Sequence, residues 1–120
     1  MQKQKNAKNL VAMVCISLYL VGCSSETRDF AQTVNNYHRS NRKVDQLELF
    51  MENEKPSKPF QSVGILSTKN LWSEKPEESL RIMREKATEL GLDGVYDIHC
   101  APYGTYNEGG CTGKGFVYEK

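Results

Sequence analysis

Residues 76–100 read PEESLRIMREKATELGLDGVYDIHC, and this stretch decides the fold. Pro76 occupies a first-turn position, Glu77 and Glu78 favour the N-terminal end of a helix dipole, and Gly91 supplies a C-terminal stop. Leu80, Met83, Ala87 and Leu90 recur at helical spacing, with Ile82 off that line and widening the stripe, so the segment Pro76 to Leu90 predicts an amphipathic helix. Glu77 and Arg81 form an i,i+4 pair on its outer side. Such a stripe is core rather than a cofactor site. Directly behind the stop, Gly94 to Cys100 alternates as a strand does, which puts Tyr96, Ile98 and Cys100 on one face and Asp97 and His99 on the other.

Working outward, Ala101 to Lys114 contains Pro102, Gly104, Gly109, Gly110 and Gly113 and reads as a glycine-rich loop, after which Gly115 to Glu119 reads as a closing strand. Upstream, Val44 to Phe50 mixes apolar and charged residues with partial alternation and predicts a first strand. Glu52 to Pro59 is a loop with two prolines. Phe60 to Ser67 predicts a second strand, in which Gly64 marks a bulge or a close packing contact, and a loop containing Trp72 leads to the helix. The order β-β-α-β-β with one amphipathic helix implies an α+β domain over residues 44–120: two layers, the helix on one face of a mostly antiparallel four-stranded sheet.

The N-terminus is of a different kind. Lys3, Lys5 and Lys8 precede an apolar run from Leu10 to Val21 broken only by Ser17, and Leu20-Val21-Gly22 stand directly before Cys23. The run is too short to span a bilayer. A basic n-region, a short apolar h-region, small residues and then a cysteine together form a lipoprotein signal peptide over residues 1–22. Leu20, Val21 and Gly22 are the signal-peptidase recognition residues, and Cys23 is the lipidation site that becomes the first residue of the mature chain. Two or three acyl chains, each buried CH₂ adding about 0.8 kcal/mol, anchor a protein firmly without spanning the membrane. A secretory signal with a chance cysteine, or a tail anchor, is the competing reading.

From Ser24 to Lys43 the chain is polar, and the lipidated N-terminus and its tether are read over residues 23–43. Phe30, Val34 and Tyr37 at i, i+4 and i+7 allow a short amphipathic helix, but isolated short helices are marginal in water, so a tether is favoured. Twenty residues of coil span about 25 Å root-mean-square and about 70 Å at full extension. Removal of residues 1–22 takes away three lysines and no acid, shifting the formal net charge from +1 to −2. A weakly acidic domain without a basic stripe offers no electrostatic footprint for nucleic acid.

Of the four cysteines, Cys15 lies in the h-region and Cys23 carries lipid, which leaves Cys100 and Cys111. In an exported chain an isolated pair reads first as a disulfide, stabilising by about 3 kcal/mol through the unfolded state. The alternative is a metal or redox site using His99, Cys100 and Cys111. Against it, no second Cys or His lies at ligand spacing, and the remaining histidine, His38, is remote, so no metal ligand and no cofactor is assigned.

Several motifs, taken in order, resemble the RcsF-like outer-membrane lipoprotein family. Lys58-Pro59-Phe60 followed by Val63-Gly64 is similar to that family's K-P-F-x-x-(L/V)-G strand; the helix from Ala87 leads to a strand ending Ile98-His99-Cys100; and Cys111-Thr112-Gly113 precedes the last strand. The resemblance covers Val44 to Lys120. It implies a sensor of envelope damage that signals by protein contact to an inner-membrane phosphorelay, with Cys100 and Cys111 matching one of the family's two disulfides. This chain has no cysteines for the second bridge and no long proline-rich tether. Small exported domains with a helix-Gly-x-Asp/Asn-Gly-strand pattern are the alternative resemblance.

No nucleophile stands beside a base and no carboxylates pair, since Asp93, Asp97 and Glu108 are dispersed, so an enzyme is not expected. The expected function is a lipid-anchored protein-interaction or stress-sensing module in contact with the membrane and other envelope proteins. A small-molecule or metal-binding periplasmic domain built on His99 and a Tyr103/Tyr106 loop, and a structural envelope lipoprotein, are the alternatives, a small-molecule ligand being the less favoured partner. Ser24, not aspartate, follows Cys23, which favours the outer membrane with the domain in the periplasm.

Overall fold

The helix forms where its end signals place it. In the computed structural model, which describes residues 26–70, 75–101 and 110–120, α1 (Pro76–Glu89) begins with proline and two glutamates and ends at Gly91, whose φ of 72° lies in the left-handed region. The Gly91 N–H donates to the Thr88 carbonyl at 3.1 Å and the Leu92 N–H to the Ala87 carbonyl at 3.0 Å, the paired bonds of a Schellman stop. Ser79, Ile82, Met83 and Ala87 are buried, whereas Leu80 and Leu90 are half-buried. Ile82, fully buried, widens the apolar face as its spacing suggests. Arg81 does not pair with Glu77 as the spacing suggests. It binds Glu26, Glu78 and Glu85 at 2.8, 3.1 and 2.8 Å instead.

The helix packs on a sheet of β1 (Glu26–Gln32), β2 (Glu48–Met51), β3 (Phe60–Asn70), β4 (Gly94–Cys100) and β5 (Cys111–Tyr118) in the spatial order β1-β3-β5-β4-β2. The α+β class stands as expected, and α1, the one long helix among the described residues, covers one sheet face. The sheet itself is five-stranded and mixed rather than four-stranded and mostly antiparallel: β2 pairs with β4 in parallel, and the other three ladders are antiparallel. A parallel pair needs a long crossover, which β3 and α1 provide between Met51 and Gly94.

The segment read as a tether is part of the fold. Residues Glu26 to Gln32 pair antiparallel with Asn70 to Gly64 as the edge strand β1, and Phe30, Val34 and Tyr37 pack against the core. The following residues strap the end of α1: the Tyr37 hydroxyl donates to the Leu90 carbonyl at 2.7 Å, and the Ser40 N–H to the Gly91 carbonyl at 2.6 Å. On the helix-facing side of β1 stand Glu26, Arg28, Phe30 and Gln32, opposite Asn70, Thr68, Leu66 and Gly64. Beside Phe30, this side is joined to α1 by ion pairs, Arg28 reaching Glu85 at 2.9 Å.

Two further strands differ from expectation. Val44 to Phe50 is a 3₁₀ turn over Val44–Gln46, a buried Leu47, and then β2. The last strand begins at Cys111 rather than Gly115, because Gly113, read as part of the loop, serves the strand as Gly115 does. A Cβ on Gly113 would lie 2.6 Å from a Val95 methyl, and one on Gly115 2.6 Å from a Leu92 methyl, so the bare backbone lets these core side chains close over β5. The core between sheet and helix comprises Leu47, Val63, Leu66, Met83, Ala87, Leu92, Val95, Ile98, Cys111 and Val117.

Candidate functional site

Asp97 sits at φ 51°, and the β4–β5 register shifts between Tyr96 and His99. This bulge reverses the simple alternation read from the sequence. Ile98 joins the core beneath α1, and Tyr96 turns to the opposite face. There it meets Phe60 at 5.0 Å between ring centroids and Phe116 at 6.0 Å. Phe116, fully buried, also packs against Phe50 at 6.0 Å, Phe60 at 5.6 Å and Tyr118 at 5.2 Å.

The sheet face away from the helix thus carries an aromatic cluster. Phe116 is its centre, and four half-buried rings form its outer surface. Lys58 lies 4.4 Å above the Tyr118 ring, and Lys114 5.7 Å from the Tyr96 ring. The Tyr118 hydroxyl donates to Glu48, and burial together with that carboxylate pushes its pKa up to about 12. The cluster was legible only in fragments, as Phe116 and Tyr118 two residues apart in one strand. Phe50 and Phe60 join them by strand pairing.

Beside the rings lies a polar group. The Asn53 N–H donates to Asp97 Oδ1 at 3.0 Å, Lys114 Nζ is 3.4 Å from Oδ2, and His99 Nε2 is 3.2 Å from Oδ1. The Asn53 N–H, with Lys114 and His99 adding to it, holds the Asp97 carboxyl below its ordinary range despite some desolvation. His99 also approaches Glu52 at 3.6 Å and is largely exposed. These contacts fasten the turn after β2 to the β4 bulge, as does the Asp97 N–H donated to the Glu54 carbonyl at 3.2 Å. Among the described residues no group of three His, Cys, Asp or Glu side chains could hold a metal ion.

Cys100 and Cys111 face each other across β4 and β5 and are joined, S–S 2.09 Å. A shallow cavity of about 420 Å³ runs past this disulfide, lined among others by Thr27, Lys69, His99 and Thr112. The signal and lipidation residues Leu20, Val21, Gly22 and Cys23 lie outside the described residues, as do Tyr103 and Tyr106. Among the described residues no helix is long and apolar enough to cross a membrane. Comparison with protein-family models, with curated proteins and with solved structures finds no match for this chain.

Proposed function

We propose that this chain is a bacterial envelope lipoprotein of the RcsF-like kind, anchored in the outer membrane through Cys23, whose periplasmic domain works by protein contact as an interaction or stress-sensing module. The observation that carries the reading is the ordered run of basic residues, apolar segment and Leu20-Val21-Gly22 before Cys23. The face opposite the helix supports the contact role, because it presents half-buried aromatic rings, the side chains in which protein interfaces are enriched. Lys58 and Phe60, from the Lys-Pro-Phe motif, both stand in that cluster.

Intact mass of the membrane-extracted protein tests the anchor. A mass equal to residues 23–120 plus acyl chains, absent in Cys23→Ala, is the expected result; a cleaved chain without lipid refutes it. Photo-crosslinking from positions 58 and 60 in cells tests the contact role. A discrete envelope-protein adduct is expected, and no adduct at either position counts against it.

A further inference from the structure

The first paired residue of the domain, Glu26, comes three residues after Cys23, with only Ser24 and Ser25 between them. Three extended residues reach no more than about 11 Å, comparable to the polar headgroup layer, about 5–8 Å on each side of a bilayer. Resting on the lipid anchor proposed above, this spacing leaves the domain no tether. We infer that the domain sits on the bilayer in one orientation, with the sheet end that carries the start of β1, the start of α1 and the Cys100–Cys111 disulfide turned to the lipid surface.

The register identifies that end. Glu26 lies opposite Asn70, so the start of β1 adjoins the end of β3; Cys100, the last residue of β4, lies opposite Cys111, the first of β5. Cys111 Sγ is 3.9 Å from the Pro76 carbonyl oxygen, which places the first turn of α1 at the same end. The start of β1 is also held to the helix, since Glu26 binds both Arg28 and Arg81, and Arg28 binds Glu85. The entry point is therefore fixed to the body of the domain and not hinged at the strand.

The opposite end points into the periplasm. β3 has 11 residues, so Phe60 stands about 33 Å farther from the lipid than Asn70 when the strand is upright. Phe60 pairs with Tyr118 in register, Lys58 lies over Tyr118, and the exposed Ser57 precedes them. The Phe60–Tyr118–Phe116 part of the aromatic cluster is consequently membrane-distal, where a periplasmic partner can reach it. A domain on a 20-residue coil would present every side equally.

The test uses the full acylated protein in vesicles of phosphatidylethanolamine and phosphatidylglycerol. In Glu77→Cys and Ser57→Cys variants the introduced cysteine is the free thiol, since Cys100 and Cys111 are bonded to each other and Cys23 is acylated. Each is labelled with a fluorophore and quenched by headgroup-nitroxide lipid. Quenching several-fold stronger at position 77 than at position 57 is expected, and a flexible Gly/Ser insert of about 20 residues between Ser25 and Glu26 should abolish the difference. Acylated, vesicle-bound protein with equal quenching at the two positions overturns the orientation, and a difference that survives the insert overturns the short link as its cause, each while leaving the anchor intact. Protein without acyl mass that does not float with vesicles overturns the anchor itself.

Discussion

Asp93 joins three parts of the chain that are far apart in sequence, and its neutralisation tests whether the segment after β1 belongs to the folded unit. Its Oδ1 accepts from Arg42 Nε at 2.8 Å and its Oδ2 from the Tyr118 N–H at 2.7 Å, and the residue is 8% exposed. Burial pushes its carboxyl up, but the Tyr118 N–H, the Ser40 hydroxyl and the Arg42 guanidinium outweigh that and hold it below its ordinary value of 3.8. In Asp93→Asn the amide keeps one acceptor and turns an NH₂ toward the other donor, leaving a buried charge-assisted bond unmade. We expect a loss of about 2–3 kcal/mol in urea unfolding at pH 7 with the m-value unchanged. Because the folded pKa lies below the unfolded one, the wild-type advantage is present above about pH 4 and shrinks as pH falls through the folded value. The gap between wild type and variant should therefore narrow at pH 3. Combined with Arg42→Met, the two losses should fall short of additive. A variant within about 0.5 kcal/mol of wild type at pH 7, the range of an ordinary surface change, or a gap that does not narrow in acid, refutes the argument.

Three further outcomes follow from the same structure. Cys100→Ser with Cys111→Ser should cost about 3 kcal/mol, read as an equal drop in stability when the wild type is unfolded with and without reductant. Ile82→Ala should cost about 2–5 kcal/mol and Leu80→Ala clearly less, reversing the ranking suggested by helical periodicity, and paired thermal melts decide it. Tyr118 should resist ionisation until about pH 12, so a spectrophotometric titration of Tyr118→Phe should lack the late phenolate step seen in wild type. Its stabilising effect, complete below the unfolded phenol value of about 10, should fade as pH rises toward the folded one.

What the sequence by itself determined was local. Proline, two glutamates, the apolar stripe and Gly91 specify the helix, since caps and periodicity act within a few turns. Phe60 onward and Gly94 to Cys100 carry strand patterns readable without neighbours, and the exported context paired Cys100 with Cys111. β1 escaped because its helix-facing side is Glu26, Arg28, Phe30 and Gln32, a sequence without apolar alternation that becomes a buried-side strand only when Arg81 and Glu85 of a distant helix complete its ion pairs. The parallel seat of β2 beside β4 and the gathering of Phe50, Phe60, Tyr96, Phe116 and Tyr118 about one ring were decided by tertiary structure alone. Pairing order and register shifts such as the bulge at Asp97 set which side chains share a face, and both depend on contacts across the whole chain.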